Sequence, residues 1–171
     1  MIIPVKKLVQ RACRKLPQKP TQDSQFVDFG AFADTIEMYR ERGAKIGHKV
    51  RLLGAIDGLN PHLVSIGDYA VLGVNAVLLA HCPIKGALPV SLGAYSYVGY
   101  GALILPGVSI GVCSVIGAGA VVTRSVPDAT IVAGNPARVL RQLTDAEQAR
   151  LVEAMHSGKY FGRDFKRPEP L

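Results

Sequence analysis

The sequence predicts an all-β, three-sided parallel coil of six-residue units, with short N- and C-terminal helices. Three observations carry this. Aliphatic residues return every sixth position over more than half of the 171 residues. Glycine often follows them, and the fifth place of the unit is nearly always small or apolar.

The first place of the unit falls on Ile46, Leu52 and Gly58. A two-residue slip resets it to Ile66, Leu72, Leu78 and Ile84. A second slip resets it to Leu92, Val98, Ile104, Ile110, Ile116, Val122 and Asp128. The fifth place holds residues such as Ala70, Ala76, Cys82, Leu88, Ala102, Ala120, Val126 and Val132, with His62 as the exception. A six-residue period cannot keep one face of an α-helix apolar. It suits a short strand and a turn repeated around a prism. The aliphatic residue points inward, the small residue fills the corner, and each strand pairs with the coils above and below. Glycine admits the backbone angles that tight corners need.

The ends read differently. Residues 1–25 are a basic amphipathic helix and a polar linker. The helix spans residues 4–16, with Val5, Leu8, Val9, Ala12 and Leu16 at helical spacing among Lys6, Lys7, Arg11, Arg14 and Lys15. Its expected role is to close the open end of the prism or pack on a neighbouring copy, with contact to an anionic membrane surface as the alternative. Residues 26–141 form the coil domain, with clear repeats from 46. In residues 142–171, Thr144 to Glu147 make a capping box that opens a helix to about His156, followed by a basic tail.

The net charge is +7, placed mainly outside the repeats. No interleaving of basic and aromatic residues accompanies it, which argues against nucleic acid. A phosphorylated cofactor or a membrane surface accounts for the charge as well. No apolar run is long enough for a membrane span, and the N-terminus lacks the pattern of a cleaved leader. The three cysteines, Cys13, Cys82 and Cys113, are widely spaced and odd in number, which fits a reducing cytoplasm.

The stretch from Ile104 to Arg141 contains IGAGAVVTRSVP followed by AGNPARVLR. With the repeats, it resembles the hexapeptide-repeat acyltransferases that use acetyl-CoA. The resemblance covers residues 46–141. It implies a left-handed parallel β-helix, contrary to the usual crossover hand, assembled as a homotrimer with sites between subunits. It also implies that Gly101, Ala102, Ala118, Gly119 and Ala120 flank the pantetheine arm of acetyl-CoA, with Tyr100 where relatives carry a small polar residue. Thr123 and Arg124 match the family's Thr-Lys near the nucleotide end, and Arg138 and Arg141 match the basic pair near the phosphates. Guanidinium groups suit forked phosphate contacts.

The same resemblance places the catalytic histidine at His81, in VLLAHCPIKGALPV. An imidazole suits the task, because the acceptor hydroxyl or amine loses a proton as it attacks the thioester. Unit counting puts His62 and His81 near one corner, and it puts Gly101 and Gly119 on that same edge. His62 is the alternative base or an acceptor ligand. Asp57 and Asp68 both stand as groups to orient a histidine, and Asn60 as a lining residue of the acceptor site. His48 and His156 read as structural. Only about two extra residues separate the histidine from the next repeat, so an open acceptor pocket is expected, shaped by residues 26–43 and a neighbouring subunit.

The expected function is acetyl transfer to a hydroxyl or amine of a sugar in cell-surface polysaccharide synthesis, in the cytoplasm at the inner face of the membrane, with no metal. A xenobiotic acetyltransferase is the alternative acceptor class. A γ-type carbonic anhydrase would need three zinc-bound histidines. A non-catalytic β-helix used for assembly is the alternative outside enzymology.

Overall fold

The computed structural model describes residues 30–157. The expected helix at 4–16 and the tail after Gly158 lie outside the described residues. Helix α1 (Gly30–Glu41) leads into strands β1 (Lys45–Ile46), β2 (Arg51–Leu52) and β3 (Ala55–Ile56). The next coil carries β4 (Val64–Ile66), β5 (Val71–Leu72) and β6 (Val77–Leu78). A hairpin follows, β7 (His81–Cys82) and β8 (Gly86–Ala87). Two further coils are β9 (Val90–Leu92), β10 (Tyr97–Val98), β11 (Leu103–Ile104), and β12 (Ser109–Ile110), β13 (Val115–Ile116), β14 (Val121–Val122). The chain ends its described course with β15 (Thr130–Ala133), β16 (Arg138–Gln142) and helix α2 (Asp145–Ser157).

These strands stack into three faces. The first is β1-β4-β9-β12, the second β16-β15-β13-β10-β5-β2, and the third β14-β11-β6-β3. All neighbours run parallel except β15 with β16. The result is a parallel β-helix. Inward ladders form its core: Ile46, Ile66, Leu92 and Ile110 on the first face; Leu52, Leu72, Val98, Ile116 and Val132 on the second; Ile56, Leu78, Ile104 and Val122 on the third. Each buried Leu, Ile or Val contributes about 1.5–3 kcal/mol of apolar transfer.

Three expected unit starts are corrected by the register. Ile56, not Gly58, fills the inward place of the first coil and pairs with Leu78. Ile84 stands almost fully in solvent at the tip of the hairpin, and the ladder resumes only at Leu92. Asp128 is exposed; Val126 takes the inward place, bridged to Ile110, and the Asp128 carboxylate accepts the Val112 amide at 2.8 Å. In each case the chain breaks the six-residue count at a corner while keeping the aliphatic ladder.

Residues Ile36 and Tyr39 of α1 pack against the core, so this helix covers the end of the coil beside β1. Nothing in the repeat pattern predicted it. Helix α2 starts on the predicted capping box: Thr144 Oγ1 accepts the Glu147 amide and the Glu147 carboxylate accepts the Thr144 amide. Its Leu151, Val152 and Met155 pack with Val71, Tyr95 and Cys113, covering the second face and the corner before it. Burial pushes the Cys113 thiol up to about 12. No helix among the described residues is long and apolar enough to cross a membrane.

Candidate active site

The corner between the third and first faces is the least regular. After β3 the chain makes a turn at Asp57 and a 3₁₀ turn, Pro61–Leu63. After β6 it makes the hairpin, with His81 opposite Ala87 and Cys82 opposite Gly86. Pro83 and Gly86 bracket its tip, residues that end a strand and permit a reversal. These two insertions meet at one carboxylate.

Asp57 is buried and accepts four hydrogen bonds. Oδ1 takes the amides of Leu59 and Asn60 at 2.9 and 3.0 Å. Oδ2 takes the amide of Ala80 at 2.7 Å and lies 2.5 Å from His81 Nδ1. Burial pushes this carboxyl up, but the Ala80 amide, the His81 ring and the amides of Asn60 and Leu59 outweigh it and hold it down to about 2. Asp57 is therefore ionised at neutral pH and can only accept. The proton on the neutral ring must then sit on Nδ1, which leaves Nε2 with a free lone pair. The His81 side chain is 41% exposed while that of Asp57 is fully buried. The arrangement offers solvent a base whose tautomer is held from behind.

Of the two acids left open by the sequence, Asp57 reaches His81, while Asp68 accepts the backbone amide of His48 at 2.7 Å. Asn60 contributes its amide to Asp57, and its side chain is half-buried. His62 is exposed in the 3₁₀ turn, on the same corner as His81 and one coil earlier. His156 stacks on Tyr69 and pairs with the Tyr95 hydroxyl at 2.6 Å; burial and the Lys49 charge hold it below the usual histidine range. The amides of Lys85 and Ile84 point at the Cys82 sulphur and hold its thiol below the ordinary value.

Gly101 and Gly119 lie on a different corner from His81, between the second and third faces, so the expected common edge is corrected. The reason is the register: Gly101 donates to Val74, and Gly119 donates to Tyr100, at 2.9 and 2.8 Å. Their column is a stack of tight turns, Asn75, Gly101 and Gly119, with φ of 58°, 63° and 67°. A Cβ at either glycine would meet nothing within 4 Å. Glycine takes the left-handed angle there without strain, and open space lies outside it. Gly134 continues the column by accepting the Val121 amide at 3.0 Å. Ala118 is exposed on this lane, and the Tyr100 hydroxyl accepts from Asn75 Nδ2 at 2.7 Å.

Ala102 and Ala120 are set apart from the lane. Both are fully buried, and their amides and carbonyls are spent within the coil. Thr123 and Arg124 are exposed on the histidine corner, not the glycine lane. Arg138 is exposed just past the top of the lane, its Nη1 donating to the Ala137 carbonyl. Arg141 instead grips Glu147 with both terminal nitrogens at 2.8 Å, and this holds the Glu147 carboxyl at about 2. The two arginines are thus unequal: one is engaged by a carboxylate in a fork, the other reaches only a carbonyl. Among the described residues, no three His, Cys, Asp or Glu side chains gather as a metal site.

The hairpin, the Ala80 and Leu59 amides and the two separate corners escaped the sequence reading. Pro83 and Gly86 were the available signal for the hairpin.

No protein-family model matches the chain. It is 30% identical to the galactoside O-acetyltransferase of Escherichia coli strain K12 over 118 residues, 63% of this chain and 53% of that protein. It is 36% identical to the 2,3,4,5-tetrahydropyridine-2,6-dicarboxylate N-acetyltransferase of Staphylococcus aureus over 84 residues, 49% of this chain and 35% of that protein. The chain thus spans about half of these curated relatives or less. Among solved structures, a galactoside acetyltransferase in complex with coenzyme A superposes with a TM-score of 0.56 at 22% identity, over 84% of this chain and 81% of that one. The coil is therefore a fold shared with acetyltransferases, and the chain resembles the hexapeptide-repeat family.

Proposed function

From a chain whose relatives are acetyltransferases, we propose an enzyme that moves an acetyl group from acetyl-CoA to a hydroxyl or amine of a sugar, in the assembly of cell-surface polysaccharide. The observation that carries this is the Asp57–His81 pair. His81 Nε2 takes the acceptor's proton as the acceptor attacks the thioester carbonyl. The new C–O or C–N bond forms, the C–S bond breaks, and the proton passes from His81 to the departing CoA sulphur. Asp57 positions the ring and offsets the positive charge it gains.

The glycine lane is the reading for the pantetheine arm. Small residues let a ligand approach backbone there, and Gly101, Ala118 and Gly119 are open to it. Tyr100 narrows one side. Arg138, and Arg124 on the other corner, serve the cofactor phosphates; Arg141 must leave Glu147 to join them. Thr123 stands beside Arg124 in that role. Because the base and the lane flank opposite edges of the third face, a productive site needs the base of one copy beside the lane of the next. A left-handed coil in a homotrimer meets this need. The outward residues of the third face, Ala55, Val77, Leu103 and Val121, are apolar and suit such contact. His62 and Asn60 line the acceptor side. The basic segment 4–16 suits a cytoplasmic enzyme held at an anionic membrane face.

The test is His81→Ala. Turnover of acetyl-CoA with an accepted sugar should fall by about two orders of magnitude or more, with acetyl-CoA binding by calorimetry unchanged. Undiminished turnover would overturn the assignment.

A further inference from the structure

The end of helix α1 reaches the turn that holds the base. The helix closes as a Schellman motif: the Ala44 amide donates to Tyr39 and the Gly43 amide to Arg40, both at 2.9 Å, with Gly43 at φ 92°. This fixes the backbone of Arg42 at the helix cap. Two arginines then leave the helix end for carbonyls of the coil. Arg40 donates to Ile46 and Gly47, at the end of β1. Arg42 reaches further along the chain, and its Nη2 donates to the Gly58 carbonyl at 2.6 Å. The loop behind it lies against the 3₁₀ turn of the same insertion, where a Cβ on Gly43 would stand 3.0 Å from His62 Cβ.

The Gly58 carbonyl and the Leu59 amide belong to one peptide unit, and that amide donates to Asp57 Oδ1 at 2.9 Å. In a trans peptide, which this is, C=O and N–H point opposite ways across one rigid plane. The plane is therefore held at both ends, by a guanidinium on the oxygen and a buried carboxylate on the nitrogen. A donor on the oxygen also polarises the unit and strengthens its N–H as a donor. Asp57 passes the constraint to His81 through Oδ2. The hydrogen bonds in this line are 2.6, 2.9 and 2.5 Å long. Without Arg42 the plane has a free end. A Cβ on Gly58 would meet nothing within 4 Å, and glycine makes rotation of the plane cheap. Rotation would take the Leu59 amide off the carboxylate.

We propose that Arg42 is a positioning residue for the Asp57–His81 pair: it locks the Gly58–Leu59 peptide, so that Asp57 holds the ring in its productive orientation. This rests on the acetyl-transfer reading for its kinetics, while the lock itself is measured without substrate. Arg42 is exposed, and a solvated contact adds little to stability. An arginine that only tied α1 to the coil would leave the partners of the carboxylate alone.

The experiment compares the full ¹⁵N-labelled chain with Arg42→Met and Arg42→Lys. Methionine keeps most of the length and removes both charge and donors; lysine keeps a charged donor, which suffices for a single carbonyl. In Arg42→Met the Leu59 amide should exchange about tenfold faster, and the Nδ1 proton signal of His81 should broaden. Turnover with an accepted sugar should fall about tenfold in kcat, with KM for acetyl-CoA and the urea midpoint nearly unchanged. Arg42→Lys should recover most of each loss. An unmoved Leu59 amide and His81 proton in Arg42→Met overturn the lock. So does a fall in kcat with both signals unmoved, which would place Arg42 on the acceptor itself. So does Arg42→Lys that recovers nothing. Faster Leu59 exchange and a broadened ring proton, with no sugar consuming acetyl-CoA in the wild type, would uphold the lock and overturn the transfer reading.

Discussion

Two corners of the same coil are built by opposite means. The corner of Asn75, Gly101 and Gly119 repeats one tight turn, Gly101 bonded to the turn of Asn75 and Gly119 to the turn of Gly101. The corner of Asp57 and His81 repeats nothing: it holds a 3₁₀ turn in one coil and a hairpin in the next. The first yields a smooth lane of backbone. The second yields a buried charge with four donors and an oriented ring. Repetition can supply a surface for a long ligand, but an acid–base pair needs a break in the repeat, because a strict repeat would place the same side chain on every coil.

That contrast is open to test, beginning with the largest effect. A Cβ on Gly73, in the regular corner, would lie 2.6 Å from the Val98 carbonyl oxygen. Gly73→Ala should therefore cost about 3 kcal/mol, read from urea unfolding. On Gly58, in the irregular corner, it would meet nothing within 4 Å, and Gly58→Ala should stay within about 0.5 kcal/mol. Equal losses would erase the distinction. Asp57→Asn should lower kcat about a hundredfold while leaving acetyl-CoA affinity in place, since the buried carboxylate meets only His81 and three backbone amides. A parallel loss of acetyl-CoA binding would mean that Asp57 holds the binding surface and not the ring alone.

Acid gives a smaller effect. The Asp57 carboxyl falls from an ordinary 3.8 to about 2 on folding. A depressed carboxyl stabilises the folded state above its unfolded value and loses that contribution as pH drops through its folded value. About 2 kcal/mol should disappear between about pH 4 and about pH 2, and the Asp57→Asn variant should lack this component. A modest effect belongs to the lane. Gly119→Ala, at φ 67° with free space around it, should cost about 1 kcal/mol of stability and weaken acetyl-CoA binding several-fold with kcat nearly unchanged.

The regular half of the molecule was the legible half. Ile66, Leu72, Leu78, Leu92, Val98 and Ile104 were assigned inward by period alone, and they are inward because the strands can pair only in that register. The capping box of α2 was equally readable, since its signature is local. The errors cluster where spacing changes. Counting through Gly58 and Ile84 assumed that slips are small, while the chain instead places whole loops at one corner. That assumption also moved Gly101 onto the histidine's edge. His81 was visible through its surroundings, but the choice of Asp57 over Asp68 was not, because it depends on two loops meeting in space.

The antiparallel β16 has a consequence for growth of the column. A stack of parallel strands exposes ladder edges at both ends, and an incoming chain could extend it as a fibre. At one end α1 lays Ile36 and Tyr39 on the core. At the other, β16 reverses direction and brings Arg138 and Arg141 to the rim. Reversal denies a newcomer the parallel template on the second face, and Arg138, which reaches only a carbonyl, leaves its charge at that rim, so this face carries its own stop signal.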